Sequence, residues 1–195
     1  MAEKPGDTTI FYIKNMVCPR CVTAVENAFE ELGFEVNRVE LGKAVVTGEP
    51  EVSKEKIREE LEKLGFELLE GKEQQRVEQI KNYLIEYVKE LEKQDSAPKI
   101  SDYLTQKMHH NYASLSSLFS DEEDTTIEKY LIHLKIERVK ELLSYGELTL
   151  SEIAWKLKYS SVQYLSNQFR QITGMSVTDY KKASDSFRQS LDSIE

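Results

Sequence analysis

The sequence is short of most of what enzymes and membrane proteins are built with. Its 195 residues hold two cysteines, three histidines and one tryptophan. No run approaches the ~20 apolar residues that a membrane helix needs, so no membrane span is expected. No low-complexity tract appears. The first seven residues, Met1-Ala2-Glu3-Lys4-Pro5-Gly6-Asp7, contain no apolar signal core, which predicts a cytoplasmic protein. No His/Ser/Asp constellation and no glycine-rich phosphate loop is present, so no enzyme is expected. The net charge of -9 argues against a generic nucleic-acid binder.

What is there is unevenly distributed. Hydrophobic content of 39% and charged content of 31% suit a globular chain long enough for two small domains. Residues 134–183 hold eight basic and five acidic side chains, a mildly basic stretch in an acidic chain. The two cysteines stand three apart in Met16-Val17-Cys18-Pro19-Arg20-Cys21. Thiols in a reducing compartment stay free, so the pair reads as metal-binding or redox-active rather than as a disulfide.

Residues 8–70 read as two similar halves. Thr9–Lys14 alternates like a strand. Val22, Val25, Phe29 and Leu32 then recur at helical spacing, and Gly33 stops that helix. Phe34–Leu41 and Lys43–Thr47 read as strands joined through Gly42. Ser53 caps a second helix carrying Ile57, Leu61 and Leu64, Gly65 ends it, and Phe66–Glu70 is a last strand. Leu32-Gly33-Phe34 recurs as Leu64-Gly65-Phe66. This pattern predicts a ferredoxin-like βαββαβ domain over 8–70.

Gly71–Gln74 reads as a polar junction, and only helices follow. Val77, Ile80, Leu84, Tyr87 or Val88, and Leu91 mark one amphipathic helix; Pro98 ends the break after it. The rest repeats. Leu104, Met108, Leu115, Phe119, Ile127 and Tyr130 correspond to Ile153, Leu157, Leu165, Phe169, Val177 and Tyr180, at an offset of 49 that becomes 50 after one insertion. A helical stretch, Ile127–Leu143, lies between the copies. Thr149-Leu150-Ser151-Glu152 is a capping box opening the second. The prediction is an all-α domain over 75–184, with two helix-turn-helix units joined by a long helix. Recognition helices one DNA turn apart, ~34 Å, would suit such a pair. The polar tail after Ala183 is expected to fray.

Two thiolates on a strand-to-helix loop suit a soft ion. Cu(I) is satisfied by two; tetrahedral Zn wants four, and no second cysteine pair or nearby histidine exists in this region. Cys21 falls in the first helical turn and Cys18 just before it, where the helix dipole and Arg20 favour the thiolate. The segment resembles the heavy-metal-associated domain of copper chaperones and copper-transporting P-type ATPases, over residues 9–70. That family carries Met-x-Cys-x-x-Cys after the first strand, matched by Met16, Cys18 and Cys21. The resemblance implies that Cys18 and Cys21 hold the metal, with Met16 packed beneath the loop and Phe66 shielding it. Asn15 stands where the family usually has Gly. Val17 stands where zinc-selective members have Asp, which favours Cu(I) or Ag(I) over Zn(II). A thioredoxin-like redox pair and an inert buried pair are the competing readings.

Residues 75–183 resemble the AraC/XylS family of bacterial transcription regulators. Ser151-Glu152-Ile153-Ala154 opens the second unit, Leu157-Lys158-Tyr159-Ser160-Ser161 turns it, and Val162–Arg170 reads as its recognition helix. Phe169, Thr173-Gly174 and Tyr180 complete the pattern, and Lys135 stands where the family usually has Arg. The resemblance implies double-stranded DNA as partner. Val162, Gln163, Ser166 and Asn167 would face bases, Ser161 at the end of the turn would contact DNA as well, and Arg170, Lys181 and Lys182 would meet phosphates. Plain solvated residues are the alternative for Gln163 and Asn167. In the first unit Ala113, Ser116 and Ser117 would face DNA. Ser120-Asp121-Glu122-Glu123-Asp124 follows them, and these carboxylates either repel phosphate or lie on a solvated loop. His109 and His110 read as polar turn residues, His133 has no partner nearby in sequence, and Trp155 is expected in or beside the core.

Together these readings predict a metal-responsive transcription regulator. The alternative is a copper-buffering or copper-delivery adaptor whose helical half docks to a protein. Contact with RNA polymerase or another protein, and a homodimer, are further expected partners.

Overall fold

The computed structural model describes residues 8–48, 52–94 and 96–186. The first seven residues and the tail beyond 186 lie outside them, and with them most of the expected fraying and the whole N-terminal reading. Four strands and nine helices occur among the described residues. They are β1 (Thr8–Lys14), α1 (Pro19–Glu31), β2 (Glu35–Glu40), β3 (Lys43–Thr47), α2 (Lys54–Lys63), β4 (Glu67–Leu69), α3 (Lys72–Leu91), α4 (Ile100–Met108), α5 (Tyr112–Glu123), α6 (Ile127–Tyr145), α7 (Leu150–Lys156), α8 (Val162–Thr173) and α9 (Val177–Ser186). The α+β class is as the periodicities predict: a ferredoxin-like βαββαβ region, then helices only.

The chain divides into two compact units, one of residues 1–83 with 117–122 and the other of 84–116 with 123–195. In the first, the sheet runs β2-β3-β1-β4, all antiparallel. The two βαβ halves interlock, because each helix returns the chain past a strand of the other half. Ile13, Val25, Phe29, Ala44, Val46, Ile57 and Leu61 form the buried centre. Phe11, Phe29 and Phe34 cluster with ring centroids 5.1–5.8 Å apart. The repeated Leu-Gly-Phe is a repeated helix exit. Gly33 (φ 89) and Gly65 (φ 84) adopt the left-handed conformation that an L side chain resists. The amides of Phe34 and Phe66 then bond back to Phe29 and Leu61, which turns the chain into the next strand.

In the second unit, Ile136, Val139, Leu142 and Leu143 of α6 pack with Ile153 and Leu157 of α7 and with Leu165 and Phe169 of α8. The capping box at Thr149 and Glu152 is present with both of its bonds. The duplication is legible in the backbone. His109 (φ 55) and Lys158 (φ 54) hold the same left-handed position in the two turns, Asn111 and Ser161 cap the following helices, and Asp124 (φ 52) and Gly174 (φ 75) end them.

Three local expectations are corrected. The stretch 71–74 is not a free junction, because α3 already begins at Lys72. The acidic run after Phe119 is not a loop: α5 continues through Glu123 and ends only at Asp124. Trp155 is not in the core but 61% exposed. Ile153, Ala154 and Leu157 take the inward face of α7 and leave position 155 outside.

Candidate functional site

The loop between β1 and α1 is built by its neighbours. Asn15 takes φ 73, the conformation that explains why glycine or asparagine suits this position, and its side-chain amide donates to the Gly65 carbonyl at 3.3 Å. Met16 is fully buried in the core, with Phe66 in the same cluster and Cys21 packed against it. Cys18 is the N-cap of α1, Pro19 its first residue, and the Cys21 amide donates to the Cys18 carbonyl at 3.0 Å. The two sulfurs lie 3.3 Å apart, both as free, half-buried thiols. Hydrogen bonds from the Cys21 backbone and side chain hold the Cys18 thiol below its ordinary pKa, with the Arg20 amide and charge adding to them against a small cost of burial. A thiol so placed ionises more readily, and the thiolate is the metal ligand. Among the described residues no group of three or more His, Cys, Asp or Glu could hold an ion. The thiol pair offers two sulfur donors.

The second unit supplies a cleft of about 500 Å³ along α8. Gln163, Ser166, Asn167 and Arg170 line it together with Lys181 and Lys182 of α9. Gln163 donates to Asn167 at 3.0 Å, so the two amides stand side by side on the exposed face. Ser161 caps α8 through the Tyr164 amide, and Ser166 returns its hydroxyl to the Val162 carbonyl at 2.9 Å. Val162 is half-buried against the core, so part of its surface is spent on packing. In α5, Ala113 and Ser117 are exposed and Ser116 half-buried, and the Ser117 hydroxyl donates to Asp121 at 3.4 Å. His109, His110 and His133 are exposed, and among the described residues none belongs to a group of three or more potential metal ligands.

Sequence reading missed one feature of this unit. The Lys135 ammonium sits 3.9 Å from the centroid of the Tyr159 ring. Burial pushes its pKa down to about 8. Tyr159 in turn donates to Gln168 at 2.8 Å, so its ring links Lys135 of α6 to α8.

A thiol-bearing βαββαβ region followed by duplicated helix-turn-helix units makes this a chain of two modules. Comparison with known families gives the same two modules. Residues 10–67 match the heavy-metal-associated domain, and residues 104–183 match a helix-turn-helix domain of the AraC type. A relative in Bacillus subtilis (strain 168), the uncharacterized HTH-type transcriptional regulator YtdP, is 26% identical over 81 residues. That match takes in 42% of this chain and 10% of the relative, so the chain spans about a tenth of the relative's length. Two solved structures are similar. The C-terminal domain of AraT, a response regulator from Geobacillus stearothermophilus, aligns at TM-score 0.48 and 20% identity, over 62% of this chain and 91% of that one. A DNA-binding transcriptional dual regulator from Escherichia coli K-12 aligns at TM-score 0.46 and 18% identity, over 55% and 93%. No helix among the described residues is long and apolar enough to cross a membrane.

Proposed function

We propose that this chain is a metal-responsive transcription regulator, with functional modules at 8–70 and 75–184. Cys18 and Cys21 bind Cu(I), or Ag(I) in its place, and the helical half binds specific double-stranded DNA. The observation that carries the reading is the coexistence of a two-thiol site with a cleft of amides and cations on a helix-turn-helix. Two soft ligands satisfy a monovalent soft cation but leave Zn(II) short of its usual four. Gln163 and Asn167 have the amide groups that pair with the adenine edge, while Arg170, Lys181 and Lys182 suit phosphates. Metal changes DNA affinity only through a difference in interaction free energy between the loaded and empty forms, typically about 1–3 kcal/mol.

The test is a titration of the full chain with Cu(I), Ag(I) or Zn(II) while its affinity is followed for duplexes it has selected from a random pool. The expected result is a change of about 5- to 150-fold with Cu(I) or Ag(I) and none with Zn(II). Cys18→Ser should remove both tight Cu(I) binding and the response. Full Cu(I) affinity in that variant would refute the site, and metal binding without any effect on DNA would refute the regulator. The second reading, a copper-buffering adaptor, is favoured by the carboxylates at the end of α5 and predicts no selected duplex at all.

A further inference from the structure

Building on the regulator reading, we propose that this duplicated fold reads DNA with one helix only. α8 recognises a single major-groove element containing adenine, and α5 does not read bases. The backbone makes the comparison position by position, because the two units correspond at an offset of 49 in the turns and of 50 from N-cap to C-cap of the following helices. Gln163 corresponds to Ala113 and Asn167 to Ser117. The paired amides, which can each form two bonds to an adenine edge, thus become a methyl group and a hydroxyl that already donates to Asp121. Arg170 corresponds to Ser120, so the phosphate contact is lost as well. Lys181 and Lys182 correspond to Leu131 and Ile132, both packed against the second unit's core.

The last turn of α5 then adds charge of the wrong sign. Asp121 and Glu122 are exposed there, and the helix C-terminus is itself the negative end of the backbone dipole. Nothing on α5 offsets the cost of bringing those carboxylates to a phosphate backbone. Base reading and backbone anchoring have both been kept in one copy and lost from the other. The ligand class that follows is a B-form duplex with one short specified element, without the second element one ~10-base-pair turn away that two reading helices would require.

The experiment is selection from random duplexes by the full chain, with and without Ag(I), beside the exposed-residue variant Gln163→Ala/Asn167→Ala. The wild type should enrich one short contiguous element, and the variant should enrich none and bind the wild-type element at least tenfold more weakly. Two copies bound side by side would give two elements, and both should vanish together in the variant. A second element about ten base pairs away that survives in the variant would overturn the proposal, because α5 would then be its reader. A wild type that enriches nothing would remove the regulator reading itself, and this inference with it. Circular dichroism of the variant identical to wild type excludes misfolding as the cause of its loss.

Discussion

Gly42→Ala tests whether the hairpin next to the thiol loop is as tightly constrained as it looks. Gly42 joins β2 to β3 at φ 76, and its carbonyl accepts from the Ile13 amide at 2.9 Å. Ile13 lies two residues before Asn15, where the thiol loop begins. A Cβ at position 42 would overlap the Asn82 amide nitrogen and stand 3.2 Å from its Cγ. Asn82 is 6% exposed, and its side-chain oxygen has no hydrogen-bond partner. Two costs add. The left-handed backbone costs alanine about 1–2 kcal/mol, and crowding a packed interior costs about 1–3 kcal/mol. Restricting the unfolded chain returns about 0.4–1 kcal/mol, which leaves a net loss of about 1–5 kcal/mol. Hydrogen exchange by mass spectrometry on β1 and β3 peptides reads this unit's own opening free energy. Exchange should speed up about 5- to 2,000-fold, at tenfold per ~1.4 kcal/mol. Asn82→Ala should be close to neutral alone, since it removes an oxygen that is buried without a partner. Combined with Gly42→Ala, it should recover the crowding part. Less than threefold acceleration in Gly42→Ala, or no recovery in the double variant, would refute the reasoning.

Three further outcomes are expected. Between pH 8 and 10 the unfolded chain binds a proton at Lys135 that the folded chain does not, because burial lowers the folded value to about 8 from 10.5. Stability therefore rises with pH in that window, by up to ~1.4 kcal/mol per unit, and unfolding followed through Trp155 fluorescence should show the rise in wild type and lose it in Lys135→Met. A flat wild-type profile would contradict the burial of that ammonium. Thr149→Ala removes the hydroxyl that caps α7 through the Glu152 amide, costs ~1 kcal/mol, and should lower the melting temperature of the helical unit by a few degrees. The Glu152 carboxylate of the same box is held below its ordinary 4.5, chiefly by the Thr149 amide, so its contribution is present above that value and is lost as pH falls below it. Lys182→Ala should flatten the plot of log affinity against log salt by about 0.9 while leaving base preference intact; an altered preference would mean that Lys182 touches bases.

Local patterns are enough for much of this molecule. The strand alternation, the Leu-Gly-Phe helix exits, the Thr149 capping box and the Met16-x-Cys18-x-x-Cys21 spacing are all short-range, and each is legible in the order of residues alone. The near-fifty-residue offset is legible for a related reason: two copies of one supersecondary unit must repeat the same inward-facing positions to bury the same face. Where a helix ends is harder to read. The acids after Phe119 look like a loop in sequence, yet α5 runs on through them to a left-handed cap at Asp124. Trp155 misleads because size suggests burial, whereas helical phase decides it.

What the sequence determined by itself was therefore the order of elements, the two modules and the identity of the thiol pair, because these rest on periodicity and spacing within a few turns of chain. Only the tertiary structure decided which distant groups meet. It tied Asn15 to Gly65 fifty residues away, set Lys135 over Tyr159, and brought Lys181 and Lys182 into the same cleft as Gln163 and Asn167. Such pairings depend on how packed helices and strands bring side chains into register, and one-dimensional spacing does not encode that register.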